Sequence, residues 1–260
     1  MEAMTVTALD LLRRSARGII LSEKIVAVAY SGGLDSSILA AISRELTNVR
    51  CYTCVVSGSF DDLNVRGRAD SESMDLTLIE LKADALPSQV RDASRVLGSS
   101  NPIQIAYSIP IISVLRESRE RLVLAGSGAD ELFGGYAKYA AARDPSNLMK
   151  EDLDKMLLEA EHLKKAARSA GKELGFPFVS DELISFSRSL PIDRKITESV
   201  RKVLLREVAR ELGLPSYSLP KKAAQYSSGV LRQMEKLAKA EGRSLAEWTR
   251  RAAGDDGRSS

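Results

Sequence analysis

The chain has 260 residues, with 38 Lys+Arg against 35 Asp+Glu and a single His, for a formal net charge of +3. A hydrophobic share of 44% and a charged share of 28% are those of a globular protein and exclude a wholly disordered chain. So small a net charge gives no strong nucleic-acid signal, and two Cys exclude a disulfide scaffold and most structural zinc sites.

In chain order, Ala8, Leu11, Leu12 and Ala16 recur at helical spacing and predict a helix over Thr5 to Arg17. Lys24 to Tyr30 is a short apolar run suited to a buried parallel strand. Glu23 and Lys24 interrupt the stretch from Gly18 to Tyr30, so no signal-peptide core forms there. The strand runs into Ser31-Gly-Gly-Leu-Asp-Ser-Ser37, then a helix from Ile38 to Leu46. Arg50 to Val56 is a second strand, followed by a polar loop from Ser57 to Ala69 that includes Arg66-Gly67-Arg68. Leu76 to Leu81 is a third strand and Pro87 to Leu97 an amphipathic helix.

Pro102 to Arg116 admits two readings, because its Ile spacing suits a helix that Pro110 would bend or break. The longest apolar stretch, Ile103 to Leu115, carries Gln104, Ser108, Pro110 and Ser113 and falls short of the roughly 18–20 residues of a bilayer span. No membrane association is expected, and the chain reads as soluble and cytoplasmic. Arg121 to Ala125 is a fourth strand, leading into Gly126-Ser-Gly-Ala-Asp-Glu-Leu-Phe-Gly-Gly-Tyr136. The alternation predicts an α/β fold with a doubly wound, mostly parallel sheet. After Asp144-Pro145 the pattern turns helical, over Met149 to Gly171, Asp181 to Leu190, Thr197 to Leu212 and Val230 to Trp248. We expect a sheet domain over residues 1–145, a helical half over 146–253 and a frayed tail over 254–260.

Ser31–Ser37 is the sharpest chemical signal. Glycines let backbone approach an anion, and amide N–H groups at a helix start supply donors and a positive dipole end. Asp35 would repel a bare phosphate, but it makes sense as a ligand for Mg²⁺, which takes one or two carboxylates plus phosphate oxygens. The Gly-Lys-Ser/Thr ending of the Walker loop is absent. Gly126 to Tyr136 also follows a strand and should emerge at the same sheet edge, where Asp130 becomes the second arm of a metal clamp.

Ser31–Ser37 resembles the pyrophosphate loop of the N-type ATP pyrophosphatases, and Gly128-Ala-Asp-Glu-Leu-Phe-Gly-Gly-Tyr136 resembles a motif of the asparagine synthetase synthetase domain. Glu173, Pro177-Phe178 and Asp181 resemble a further segment of that family. So do Pro220-Lys221-Lys222, Gln225-Tyr226 and Ser228-Gly229-Val230. The resemblance covers about residues 24–232 and implies an adenine nucleotide α-hydrolase-like sheet. It also implies an ATP-dependent ligase that activates a carboxylate as an acyl-adenylate, releases pyrophosphate and passes the acyl group to ammonia or another amine. The implied cofactors are ATP and Mg²⁺, and the implied substrate is a small carboxylic acid such as aspartate or an analogue. The implied nucleotide-binding set is Ser31, Gly32, Gly33, Leu34, Asp35, Ser36, Ser37, Val56, Gly126, Ser127, Gly128, Asp130 and Glu131, with Asp35 and Asp130 on the metal. Lys221 or Lys222 would neutralise charge on the phosphates; Pro220 favours the first, and counting back from Gly229 favours the second.

Three departures from the family pattern stand out. The chain begins Met1-Glu2 with no room before residue 24 for a glutaminase domain, so a stand-alone synthetase unit, with a possible glutaminase partner chain, is expected. The family's Glu before Gly-(Ala/Ser)-Asp-Glu is Ser127, and its Arg before Pro177 is Gly175. Acidic residues expected upstream are replaced by Leu163 to Ala167. Alternatives within reach of the same motifs are a nucleotide-activating transferase acting on RNA and a non-catalytic ATP or AMP binder. Cys51 and Cys54 form a C-x-x-C, but inside a strand their spacing puts them on opposite faces as buried thiols. His162 reads as a solvated helix position and Trp248 as packing for the last helix.

Overall fold

The computed structural model describes residues 2–56, 60–218 and 229–255. Five strands form one parallel sheet: β1 (Ile25–Ala29), β2 (Asn48–Val56), β3 (Leu76–Leu81), β4 (Leu122–Leu124) and β5 (Glu173–Gly175), in the order β3-β2-β1-β4-β5. β1 is central, with Val26, Ala27 and Val28 fully buried, which explains its unbroken apolar run. The chain winds outward through β2 and β3, then returns to the far side of β1 for β4 and β5. The reversal between β1 and β4 opens a crevice at their carboxyl ends, where ligands bind in doubly wound sheets.

Two apolar clusters cover the two faces. On one lie α1 (Glu2–Ile20), α2 (Leu34–Arg44), α8 (Asp181–Ser189) and α9 (Val203–Glu211), with Leu12, Ile38, Leu183 and Leu205 buried together. On the other lie α4 (Leu86–Leu97), α5 (Pro102–Glu117), α10 (Val230–Ala240) and α11 (Leu245–Ala253), with Val90, Ile109, Leu231 and Trp248 buried together. Helices from the second half of the chain therefore pack on both faces. Trp248 does pack the last helix, donating its indole N–H to Glu241 at 3.0 Å.

The structure settles the open stretch Pro102 to Arg116 as a helix and departs from the sequence expectations at four elements. One of them is the helix expected over Val230 to Trp248, which is two, α10 and α11. The expected polar loop after β2 contains a helix, α3 (Phe60–Ser71), which includes Arg66, Gly67 and Arg68. Among its described side chains Val65 and Ala69 bring it to the core. α5 runs straight through Pro110: Asn101 accepts from the amides of Ile103 and Gln104 at its start, and Ile105, Ile109 and Ile112 anchor it in the core. β5, unforeseen between the expected helices, pairs in parallel with β4. The expected helix from Thr197 begins only at Val203, behind a turn in which Ile196 and Arg201 bridge antiparallel. Among the described residues no helix is long and apolar enough to cross a membrane.

Lys195 introduces that turn and is 6% exposed, and among the described residues no carboxylate pairs with it. Burial pulls its pKa down to about 8 from 10.5, so protonation is harder in the folded than in the unfolded chain. The penalty is fully present below about pH 8 and fades as pH rises toward 10.5. Lys195→Met should therefore be more stable than the wild type at pH 7, by about 1–2 kcal/mol. That advantage should shrink at pH 10, as urea unfolding at the two pH values will measure.

Candidate active site

The Ser31–Ser37 turn leaves β1 and enters α2. Gly32 sits in the left-handed region at φ +66, and its carbonyl accepts from Arg68 of α3 at 3.0 Å. Arg68, expected in a solvated loop, is thus part of the turn's support. Ser31 Oγ accepts from the Gly33 amide at 3.3 Å, while Ser36 Oγ accepts from the Ser31 amide and donates to the Gly33 carbonyl. Ser36 and Ser37 are buried. Gly33 caps α2 with no side-chain hydrogen bond, so among the described residues no side chain competes for the first amides of that helix.

The second turn leaves β4. Gly128, at φ +94, has no room for a Cβ because Val179 fills that space. This lets α6 (Ala129–Phe133) start directly behind the strand with Asp130 and Glu131 in its first turn. The two turns touch: a Cβ on Gly126 would lie 3.3 Å from Asp35 Cβ.

Between them lies a cavity of about 440 Å³. Its wall includes Ser31, Asp35, Ser36, Gly126, Ser127, Gly128, Asp130 and Glu131. Gly32, Gly33, Leu34 and Ser37 lie behind that wall in the turn. Val56, the last residue of β2, packs in the core below; on this strand the lining falls to Tyr52, Thr53, Cys54 and Val55. Tyr107, Asp152, Glu159 and Phe176 complete the far side, and Tyr107 donates its hydroxyl to Glu159. Lys221 and Lys222, with Pro220, Gln225, Tyr226 and Ser228, lie outside the described residues.

Behind the two aspartates of that wall is a residue that the motifs do not contain. Lys202 stands immediately before α9, and its side chain is 3% exposed. Its ammonium pairs with Asp35 and with Asp130 Oδ1, the latter at 2.6 Å. Burial pulls the Lys202 pKa down and the Asp35 carboxylate opposes that pull. Asp35 Oδ1 is buried with no hydrogen-bond partner among the described residues. Gly135 is required beside this contact, since a Cβ there would overlap Asp130 Oδ1 and come within 2.5 Å of Lys202 Cε.

Glu131 is 7% exposed, accepts from the Tyr136 hydroxyl at 2.7 Å, and has its pKa raised by burial. Glu131 and Glu173 are the two acids of the family-like segments that could stand in for the family's Glu at Ser127; Glu173, however, is paired with Arg121 at 2.6 Å at the opposite, amino end of the strands. Cys51 and Cys54 are free, buried and on opposite faces of β2, and burial pushes both thiols up to about 12. Neither supplies an accessible thiolate. His162 is exposed, near the Val96 carbonyl.

Two hard-oxygen carboxylates facing one point, one with an oxygen free, fit a divalent cation of the Mg²⁺ type. Among the described residues no group of three or more His, Cys, Asp or Glu could hold a metal, so such an ion would complete its shell with water or phosphate.

Comparison with known proteins places this crevice in a lineage. The chain is 29% identical over 260 aligned positions to a Methanocaldococcus jannaschii protein assigned as an asparagine synthetase (glutamine-hydrolyzing), covering 82% of this chain and 48% of that protein. It is 24% identical to Escherichia coli asparagine synthetase B, covering 84% of this chain and 44% of that enzyme. The chain thus spans about half the length of these relatives. Among solved structures it is similar to NMN synthetase from Francisella tularensis, at 11% identity and a TM-score of 0.44, covering 98% of this chain and 93% of that one. The family model for asparagine synthase matches residues 7–169 and 146–255, both turns and the Lys202 segment included. The chain belongs to the asparagine synthase family.

Proposed function

We propose that the protein is an ATP-dependent carbon–nitrogen ligase that activates a small carboxylic acid, aspartate or an analogue. The observation that carries this reading is the pair Asp35 and Asp130, on adjoining turns at the crevice, beside the start of α2. In this reading the Ser31–Ser37 turn and the first amides of α2 hold the phosphate chain through backbone donors. Gly126, Ser127 and Gly128 line the nucleotide, and Asp35 and Asp130 would carry Mg²⁺, which supplies charge neutralisation on the phosphates.

A substrate carboxylate oxygen attacks the α-phosphorus, breaking the bond to the bridging oxygen and releasing pyrophosphate. Lys221 or Lys222 stabilises the charge that builds on that leaving group. An amine then attacks the acyl carbon, AMP leaves, and the amine's surplus proton needs an acceptor. Ser127 cannot accept it at neutral pH without a base of its own. With Glu173 held at the other end of the sheet, Glu131 is the remaining acid of that pair on the cavity wall. The amine is ammonia, free or delivered by a glutaminase, or a larger amine.

The test is incubation with ATP, Mg²⁺, ammonium and a panel of carboxylic acids. Equal amounts of AMP and pyrophosphate, dependent on one of the acids, are expected. ADP and phosphate as the main products would overturn the reading, and ATP that binds but yields no pyrophosphate with any acid would make the protein a nucleotide binder.

A further inference from the structure

We infer that Lys202 is a tethered stand-in for the divalent cation. Its ammonium occupies the point between Asp35 and Asp130, so free metal is kept out of the clamp and enters only together with nucleotide. This rests on the proposal above that the two aspartates carry the metal, and it adds a control on how the site is loaded.

Four observations converge on it. The Lys202 ammonium contacts both carboxylates at once, Asp130 Oδ1 at 2.6 Å, and the side chain is 3% exposed. The backbone at Lys202 lies in the left-handed region at φ +57, unusual for a residue with a Cβ. That conformation is held from both sides, by the Ile196–Arg201 bridge before it and by the Val203 amide donating to the Lys195 carbonyl at 3.0 Å. Finally, position 135 has no room for a Cβ because Asp130 and Lys202 fill it, so the fold keeps a space for this contact.

Charge explains why the stand-in is needed and why it is not the final occupant. Two carboxylates converging on one buried point repel each other unless a cation lies between them. The ammonium does not use every carboxylate oxygen, since Asp35 Oδ1 has no hydrogen-bond partner among the described residues. A free Mg²⁺ ion would have to shed tightly held water and also displace a buried ammonium from its two carboxylate contacts. Nucleotide changes that balance, because its phosphate chain brings negative charge that can take over the ammonium while its metal takes the carboxylates. The metal and the nucleotide then load as one unit.

The probe is Mn²⁺ alone, followed by electron paramagnetic resonance with no nucleotide present. Wild type is expected to bind it weakly, and Lys202→Met at least about tenfold more tightly. In parallel, 10 mM Mg²⁺ without nucleotide should leave the wild-type melting temperature unchanged and should raise that of Lys202→Met. Tight Mn²⁺ uptake by the wild type, or a melting temperature raised by Mg²⁺ alone, would overturn the inference even if the variant failed to fold. Equal affinities of wild type and variant would overturn it too. A non-hydrolysable ATP analogue should then bring Mn²⁺ into the wild type. If it does not, while Lys202→Met still binds metal alone, the nucleotide reading falls and the part played by the lysine stands.

Discussion

Asp35→Asn and Asp130→Asn should each lower turnover about 10²-fold or more, while each variant stays folded. The loss follows from removing one of the two carboxylates that contact the Lys202 ammonium at the metal position. Folding survives because either aspartate alone still neutralises the Lys202 ammonium. Changing both takes away the two carboxylates that contact the buried ammonium and leaves it the weaker attraction of Glu131, a loss of up to about 3–5 kcal/mol. The double variant should therefore be markedly destabilised in urea unfolding, and adding Lys202→Met to it should restore much of the stability. Single variants with wild-type turnover at limiting Mg²⁺ would reduce the aspartates to helix-start residues.

The second large effect is expected from a single methyl group. Gly135→Ala places a Cβ on top of Asp130 Oδ1 and against Lys202 Cε. Both groups are fixed by their mutual contact, so the strain goes into the clamp. We expect turnover reduced to the level of Asp130→Asn, and stability lowered by about 1–3 kcal/mol, as for overpacking in a tight interior. Gly18→Ala is the matched control: it lies within α1 with nothing within 4 Å of the added carbon. That change should leave turnover intact and raise stability by about 0.4–1 kcal/mol. Full activity in Gly135→Ala would mean that the clamp is looser than its contacts indicate.

What could be read from the sequence follows from how locally each feature is encoded. β1 and its glycine turn are legible because burial on both faces forces a continuous apolar run, and the turn's chemistry is packed into seven consecutive residues. Asp35 and Asp130 could be paired because each follows a strand of the same parallel sheet, so both must emerge at one edge. α3 is hidden because polar residues dominate its sequence and Gly67 stands mid-helix. β5 is hidden because three residues, Glu173-Leu174-Gly175, are too short to display any period. Lys202 is hidden for a different reason. It is one of 38 basic residues, stands beside Arg201, and meets an aspartate 167 positions away. Only its burial and its partners distinguish it, and both are properties of the assembled fold. The buried thiols were predictable because strand parity alone separates Cys51 from Cys54.

The pairing of β4 with β5 has a consequence for synthesis. On the ribosome, Leu122–Leu124 is made well before Glu173–Gly175, and the long helix α7 (Pro145–Ser169) is translated between them. Until Gly175 emerges, the outer side of β4 offers unpaired backbone donors and acceptors on an apolar strand, a template that any other exposed strand can use. The helices α8 and α9, which cover one face, arrive later still. A nascent chain stalled in this interval is therefore aggregation-prone and a natural client for chaperones that shield open sheet edges. The crevice beside β4 acquires its full wall only after that interval has passed.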